Sequence, residues 1–261
     1  MTKSFIKFLS LLSFLMIVLS CNEESKTIVY DTDPKLLSKD FVPWWNYYNR
    51  HIHLSNEFIA LDTAKHKMTK DAFLKELTTG EYIPIRLMTT DTIESFQLYK
   101  LTQDASNDIK RVIKQECEKQ YEHFKKEGTA IPLFNFKDLN GTVYTNENTK
   151  GKYVVLKCWY IACLVCNQEI PALNEMLKKY KDRKDILFVS LAWDSSDSLK
   201  EFLKHTVFNY AVVPNQQTFT EKELKAGQYP AHFIINKEGI IKKEVNKEKE
   251  LEIALKKEIG Y

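Results

Sequence analysis

The sequence predicts an α/β fold in residues 129–261, preceded by an α+β region in residues 41–128. From about residue 131, apolar segments of strand length alternate with amphipathic segments of helix length, which is typical of a layered α/β arrangement. The segment KYVVLKCWY has the near-continuous apolar and β-branched content of a buried strand. Before residue 128, aromatic and helical segments such as FVPWWNYYNRHIH and TKDAFLKELTTG stand beside shorter strand-like segments, and these indicate the α+β region.

The elements of the α/β part follow in the order β-α-β-α-β-β-α. The segment IPLFNFKDLNGTVYT precedes them and predicts a hairpin that turns at Asn140 and Gly141, a pair strongly favoured in short hairpin turns. The lysine-rich C-terminal segment, from residue 242, indicates a solvated, amphipathic helix end. The other predicted elements are the strand KYVVLKCWY, a helix over about 164–180, the strand DILFVSLAW, a helix over 195–205, a strand at YAVV, a short helix near TEKELKA, the strand AHFIINKEG that turns into IIKKEV, and a final helix from about residue 247.

The N-terminal residues predict export and lipid anchoring. An apolar run over residues 8–19 follows two lysines, and it is too short to span a bilayer, which takes about 20 residues, so residues 1–20 are predicted to be a signal peptide. The sequence VLSC, which ends at Cys21, resembles a bacterial lipobox, and this predicts lipidation of Cys21 and a position on the extracytoplasmic side of the bacterial cell envelope. The polar residues 21–40 are predicted to form a tether. The alternative is an ordinary secretory signal with a coincidental cysteine.

Charge and cysteine usage narrow the function. The chain has 38 basic and 35 acidic residues, and residues 1–20 contain two lysines and no acid, so the exported chain has a formal charge of +1 and no feature of a nucleic-acid-binding protein. Four cysteines remain after Cys21, and three of them lie between residues 158 and 166, which indicates chemistry at one site rather than a framework of disulfides. Cys117 lies on the apolar face of a predicted helix and is predicted to be a core thiol.

The three clustered cysteines are not equivalent. Cys158 lies on the preceding strand, about 15 Å of extended chain from Cys163, so the two do not pair easily. Cys163 is predicted to lie at the junction of strand and helix, with Cys166 one turn later, and this pair can close a disulfide. Unpaired N–H groups and the helix dipole stabilise a thiolate in the first turn. We therefore predict Cys163 as the nucleophile and Cys166 as the resolving thiol.

Three segments carry a family resemblance: FNFKDLNG, KGKYVVLKCWYIACLVCNQEIPALNEM and QYPAHFIINKEGII. On them, residues 131–261 resemble the TlpA-like family of membrane-anchored thiol-disulfide oxidoreductases. The resemblance implies a thioredoxin-like fold, in which a central mixed sheet is flanked by helices. The matching positions are Trp159, Cys163, Cys166, Glu169 and Pro171, together with Pro230 at the place of the family's cis-proline.

The resemblance also implies roles for residues around the dithiol. It implies a cis peptide bond at Pro230, facing the dithiol, and Glu169 is the carboxylate best placed to manage proton transfer. Lys157 occupies the position where thioredoxins carry a buried acid, and we predict that it pairs with Glu169 and favours a thiolate. The sequence departs from the superfamily at Ala162, where a tryptophan is common, and between the cysteines, where proline is absent, which leaves the redox potential open.

The predicted function is reduction of disulfides in exported proteins, with a membrane thiol donor as the second partner. The redox-active Cys163–Cys166 disulfide takes the place of a cofactor, and no metal or nucleic acid is expected. One alternative is a peroxiredoxin-like thiol peroxidase, although Tyr160 stands where such enzymes need a Thr or Ser hydroxyl. Another is a non-catalytic lipoprotein that binds copper or a partner, for which His232 would join the cysteines. His51 and His53 have no further ligands at metal-binding spacing and are predicted to pack or face solvent.

Overall fold

The computed structural model describes residues 29–89 and 92–260, so the predicted signal peptide and Cys21 lie outside the described residues. Two five-stranded sheets and a two-stranded hairpin organise this part of the chain. Among the described residues, no helix has both the length and the apolar content to cross a membrane. In chain order the elements are β1 (Val29–Tyr30), α1 (Pro34–Leu37), α2 (Phe41–His51), β2 (Ile59–Leu61), β3 (Lys67–Met68), α3 (Lys70–Leu77), β4 (Tyr82–Met88), β5 (Ser95–Lys100), α4 (Asn107–Lys126), β6 (Asn135–Lys137), β7 (Val143–Thr145), β8 (Tyr153–Trp159), α5 (Leu164–Gln168), α6 (Ile170–Lys178), β9 (Ile186–Ala192), α7 (Ser196–Leu203), β10 (Ala211–Val213), a turn of π-helix (Phe219–Glu223), β11 (Ala231–Ile235), β12 (Ile241–Val245) and α8 (Glu248–Glu258).

The first sheet has the strand order β1-β4-β5-β2-β3 and belongs to the N-terminal region. Helices α2, α3 and α4 bury their apolar stripes with it in one hydrophobic core. The apolar face predicted for α4 places Cys117 in this core, where the side chain is completely buried. The largest fully buried side chains of this core are Trp44, Phe73, Leu74, Leu77, Ile83, Ile85, Phe96, Ile109 and Ile113.

The folded region begins earlier than the tether predicted over residues 21–40. β1 pairs antiparallel with β4, and Leu37 of α1 is buried in the N-terminal core. The Tyr47 hydroxyl donates a hydrogen bond to Asp31 (2.8 Å), which fixes the loop between β1 and α1. Residues 29–40 therefore belong to the fold. Their few apolar side chains pack against elements that are distant in sequence, and the polar composition of the segment alone does not predict these contacts.

The second sheet has the order β10-β9-β8-β11-β12, and β8 lies at its centre. β9 pairs parallel with β8, and β11 pairs antiparallel with β8 and with β12, so the sheet is mixed. Helices α6, α7 and α8 contribute to the buried core beside it. This arrangement confirms the predicted α/β class and thioredoxin-like fold. The predicted hairpin is present as β6 and β7, with Asn140 and Gly141 in the turn.

The helix that follows β8 is interrupted, as its internal proline predicts. α5 ends at Gln168, Glu169 caps both helices, and α6 begins at Ile170 with Pro171 in its first turn. Proline lacks an N–H and so cannot continue the hydrogen bonding of α5, whereas it is tolerated in the first turn of a new helix. The interruption leaves the Glu169 backbone at a helix junction immediately below the dithiol.

The two sheets are joined by hydrogen bonds and ion pairs between α4, the segment after it, and β12. Gly128 N–H donates to the Ile241 carbonyl, and Ile241 N–H donates to the Thr129 carbonyl (both 2.8 Å). Lys126 pairs with Glu244 and Lys243 pairs with Glu127, each at 2.7 Å. The Lys243 ammonium also donates to the Ser55 carbonyl (2.9 Å). The side chains of Lys243 and Glu244 in β12 are both buried. The sequence indicated that this lysine-rich segment is solvated, and that prediction was wrong because the N-terminal region covers the strand.

Candidate active site

The dithiol lies at the start of α5, shortly after the end of β8. Cys163 is the N-terminal cap of α5, and its sulfur accepts a hydrogen bond from the Cys166 N–H (3.2 Å). The two sulfurs form a disulfide with a Cα–Cα distance of 5.3 Å. Cys163 retains 8% exposure whereas Cys166 is completely buried. Cys163 is therefore the more accessible of the two sulfurs, and its role as the nucleophile stays a prediction.

The other two cysteines of the described residues, Cys117 and Cys158, lie elsewhere in the structure. Cys158 points to the opposite face of the central sheet from the dithiol, because side chains alternate along β8 and it packs in a different core cluster. Burial raises the pKa of the Cys158 thiol and of the Cys117 thiol. Both are free and buried, so neither has the exposed thiolate that reactivity requires.

Pro230 has the cis peptide bond that the resemblance implies, and it lies at the same end of the central sheet as the dithiol. The Tyr229–Pro230 bond is cis, and Pro230 immediately precedes β11, whose first residue pairs with Cys158 of β8. The Pro230 carbonyl accepts a hydrogen bond from the Asn246 side chain (2.7 Å). Val165, between the two cysteines, lines the same hollow as Pro230. The adjacent central strands thus bring the proline loop and the dithiol to one end of the sheet.

A buried charged cluster, formed by Lys157, Glu169 and His232, lies below the dithiol. The Lys157 ammonium donates to the Glu169 carboxylate and to the Cys166 carbonyl, the latter at 2.8 Å. The ion pair that the sequence suggested is therefore present. His232 Nε2 lies 3.1 Å from Glu169 Oε1, and because a carboxylate only accepts, this nitrogen carries the donated hydrogen. Lys157 and His232 are opposite each other in the β8–β11 register.

The electrostatics of this cluster favour an ionised carboxylate. Burial raises the pKa of Glu169, but the hydrogen bond from His232 and the ammonium of Lys157 outweigh it and hold that pKa below its usual value. Burial also lowers the pKa of Lys157, against the opposing attraction of Glu169. The Lys157 ammonium lies 5.7 Å from the centre of the Phe208 ring, which supplies a further favourable contact. The buried Lys157 and His232 thus both stabilise the charged Glu169 carboxylate through hydrogen bonds beneath Cys166.

Three aromatic side chains flank the proline loop on the side of β9. Tyr160 stacks on Trp193 with ring centroids 4.6 Å apart, and Tyr229 contacts the Trp193 ring edge-on at 4.7 Å. The Trp193 N–H and the Tyr229 hydroxyl both donate to the Thr220 hydroxyl, at 2.9 Å and 3.0 Å. These contacts fix the rings that precede Cys163 and Pro230 in the sequence.

Some of these contacts were not predicted. The sequence offered His232 as a partner of the cysteines in a copper site; it is completely buried and its Nε2 pairs with Glu169 instead. Alternation along AHFII places His232 on one face of its strand, but nothing local identifies Glu169 as the partner. Asn246 was missed because it lies just after β12, far in sequence from the loop it holds. Within the described ranges, no group of three or more His, Cys, Asp or Glu side chains is arranged to hold a metal ion.

Comparison with known proteins identifies the family. A family model described as the AhpC/TSA family matches residues 127–244. Thiol-disulfide oxidoreductase ResA of Bacillus thuringiensis is 31% identical over 134 residues, which cover 50% of this chain and 77% of the relative. ResA of Bacillus cereus is 31% identical over 113 residues, 43% of this chain and 65% of the relative, which is just under two thirds. The crystal structure of the thioredoxin domain of a thiol-disulfide oxidoreductase from Bacteroides vulgatus aligns with a TM-score of 0.44 and 22% identity, covering 50% of this chain and 96% of that one. In agreement with the TlpA-like resemblance, this chain belongs to the thioredoxin-like family of thiol-disulfide oxidoreductase enzymes that contains ResA.

Proposed function

We propose that this protein is a lipid-anchored enzyme that reduces disulfides of exported proteins on the extracytoplasmic side of a bacterial membrane. The observation that carries the proposal is the Cys163–Cys166 disulfide at the start of α5, at the same end of the central sheet as the cis bond of Pro230. The partly exposed Cys163 and the buried Cys166 divide the chemistry between an attacking and a resolving sulfur.

The reaction begins with the reduced enzyme. The Cys163 thiolate attacks one sulfur of the substrate disulfide, and the other substrate sulfur leaves as a thiolate. The Cys166 thiol loses its proton and its sulfur then attacks Cys163, which breaks the mixed disulfide and releases the second substrate thiolate. The substrate has gained two electrons and the enzyme has become the Cys163–Cys166 disulfide. A thiol donor at the membrane returns two electrons to the enzyme before the next cycle.

The buried charged cluster supports the resolving step. Glu169 lies between Lys157 and His232, next to the Cys166 backbone, and is the carboxylate best situated to receive the Cys166 proton. Lys157 and His232 are positioning residues in this proposal, because they hold the Glu169 carboxylate in place and ionised. The ammonium of Lys157 beneath the dithiol also favours negative charge on sulfur.

The two alternatives receive less support. A thiol peroxidase needs a hydroxyl that holds the peroxide near the reactive cysteine, and Tyr160 at the corresponding place has its ring stacked on Trp193. A copper-binding lipoprotein would use His232 together with the cysteines, but the His232 imidazole is buried against Glu169. Neither alternative accounts for the pairing of a dithiol with a cis-proline.

Anchoring and partners rest on the sequence. The lipobox-like VLSC motif supports lipidation at Cys21 and an extracytoplasmic position, where proteins acquire disulfides that a reductase could act on. The membrane thiol donor follows from the need to return electrons after each cycle. The curated relatives are similar to this chain over about half of its length, so these assignments are proposals for this chain.

A trapping experiment tests the proposed function. We expect a Cys166→Ala variant, expressed in a bacterial host, to accumulate mixed disulfides between Cys163 and substrate proteins, because the resolving sulfur is absent. Mass spectrometry after non-reducing purification identifies both partners of each mixed disulfide. Cys158→Ala is the matched control, since it removes a neighbouring cysteine outside the site and should trap nothing. If Cys166→Ala retains no protein on Cys163, the oxidoreductase proposal fails.

A further inference from the structure

We propose that helices α2 and α4 of the N-terminal region form one wall of the substrate site, and that the groove between them and the proline loop receives the extended polypeptide segment beside the substrate's cysteine. This inference rests on the proposed function and deepens it. It assigns a role to residues that precede the family match, which begins at residue 127.

The groove begins as a hollow of about 330 Å³ that reaches the dithiol segment at Val165. Its floor is the Tyr229–Pro230 loop together with Val165, which lies between the two cysteines. One wall comes from α2 and α4, and the other from the segment after β12. The N-terminal region contributes Trp45, Tyr48, Asn49, Ile52, Leu54, Glu116, Lys119 and Gln120 to the lining.

A second hollow, of about 520 Å³, continues the groove along α4. The two hollows share Glu116, Lys119 and Gln228 in their linings, so they adjoin. From Glu116 to Lys126 the helix rises by about 15 Å, which is the length of about four or five residues of extended chain. A groove of this length suits a polypeptide segment rather than a small thiol compound.

The lining chemistry fits an extended chain of mixed sequence. Trp45 is half-buried, stacked between Phe41 and Tyr48 at 6.0 Å and 5.9 Å, so it offers a fixed apolar surface to one bulky substrate side chain. The side-chain amides of Gln120 and Gln228 have no hydrogen-bond partner within the described part of the chain and can pair with substrate peptide groups.

The charges of the groove do not select a strongly acidic or basic partner. Lys119 is already paired with Glu116 at 2.7 Å. The remaining charged side chains of the lining have both signs, since Lys247 and Glu250 lie in the first hollow and Lys225 and Glu122 in the second. The occupant is therefore recognised mainly through its backbone and one apolar side chain.

The wall is held firmly against the thioredoxin-like part of the chain. Lys126, at the end of α4, pairs with Glu244 of β12 and also donates to the Lys225 carbonyl (2.8 Å), close to the proline loop. Gly128 continues the attachment by its hydrogen bond to Ile241. The position of α4 beside the dithiol is thus fixed by the fold, which is what a preorganised binding wall requires.

The test compares two disulfide substrates. One is a synthetic peptide disulfide with phenylalanine next to each cysteine, and the other is hydroxyethyl disulfide, which is too small to occupy the groove. For Trp45→Ala and for Gln120→Ala, we expect the ratio of kcat/KM for the peptide to that for hydroxyethyl disulfide to fall about tenfold, mainly through KM. Trp45→Phe should restore most of the ratio. Val42→Ala, at a position on α2 that is 61% exposed and outside the groove lining, is the matched control and should keep it.

The outcomes separate the two proposals. If Trp45→Ala and Gln120→Ala keep the wild-type ratio, or lower both rates equally, the wall does not recognise the peptide and this inference fails. If Trp45→Ala does not fold, as circular dichroism would reveal, Gln120→Ala decides the question. If the wild-type protein reduces neither substrate faster than dithiothreitol alone does, the proposed function itself is wrong.

Discussion

Lys157 is the side chain that most distinguishes this site at the residue scale. It is completely buried, and a buried ammonium is tolerated only beside compensating partners. Glu169 and the Cys166 carbonyl supply them, and His232 supplies a second donor to the same carboxylate. The position where a buried acid would be expected therefore holds a cation, and the carboxylate comes from the helix junction instead.

We predict that Lys157→Met raises the pKa of the Cys163 thiolate in the reduced enzyme, because it removes the ammonium beneath the dithiol. The same change leaves the Glu169 carboxylate buried without its cation and should lower the free energy of unfolding by about 3 kcal/mol. Titration of thiolate absorbance measures the first effect, and urea unfolding measures the second. The double variant Lys157→Met, Glu169→Gln is the control and should recover most of the stability. An unchanged Cys163 pKa would contradict the proposed role of Lys157.

At the scale of elements, the sequence predicted the strand, helix and proline loop that build the dithiol site because their signals are local. β8 is a continuous apolar segment, Cys163 begins the next helix, and Pro171 marks its interruption. The burial of Lys243 and Glu244 was not predictable in this way. Glu244 pairs with Lys126, 118 residues away, and Lys243 donates to Ser55, 188 residues away. Only the packing of α4 on β12 makes these charged residues interior.

Glu244 leads to a prediction about pH and stability. Burial, opposed by Lys126, raises the pKa of Glu244 from its usual 4.5 to about 7. A carboxyl with a raised pKa stabilises the fold fully below pH 4.5 and loses that contribution as the pH rises through about 7. We therefore expect the stability of wild type relative to Glu244→Gln to fall by about 3 kcal/mol between pH 4.5 and pH 8.

Urea unfolding of both proteins at the two pH values measures this difference. Glu175→Gln, at an exposed carboxylate on α6, is the control, and the stability difference between it and wild type should change little with pH. Burial, with the nearby Lys126 and Lys119, lowers the pKa of His123 to about 3, so His123 favours stability at higher pH. His123 Nε2 lies 3.6 Å from Glu244 Oε1, so their contributions are not independent, and the comparison is repeated with His123→Gln in both proteins. A difference that stays constant with pH would contradict the burial of an ionisable Glu244.

At the scale of the whole molecule, the chain combines two folded regions whose boundary lies at the proposed substrate groove. The sequence predicted the thioredoxin-like part well, through several motifs in the right order. It gave no role for residues 41–128, because the significance of Trp45 and Gln120 depends on their position beside Tyr229 and Pro230, which only the tertiary structure reveals. The aromatic segment WWNYY divides accordingly, since Trp44 belongs to the core and Trp45 to the groove.

The proposed anchoring is tested on the full chain. We expect the protein, expressed in a bacterial host with its own first 20 residues, to sediment with membranes and to carry an added lipid mass on Cys21. Cys21→Ser should abolish the lipid mass and release the protein from the membrane fraction, because a serine cannot form the thioether. Cys117→Ser is the control cysteine variant and should remain membrane-bound. Equal distribution of Cys21→Ser and wild type would exclude a lipid anchor at this residue.

The groove formed by α2, α4 and the proline loop would make the enzyme sensitive to how far its client has folded. A channel one polypeptide wide admits a loose strand but not the rounded surface of a finished domain. Substrate disulfides in unstructured or locally unfolded chains could reach Cys163, whereas disulfides buried within native domains could not. A reductase built in this way would act as a proofreader, reversing cross-links in immature proteins and leaving mature ones intact.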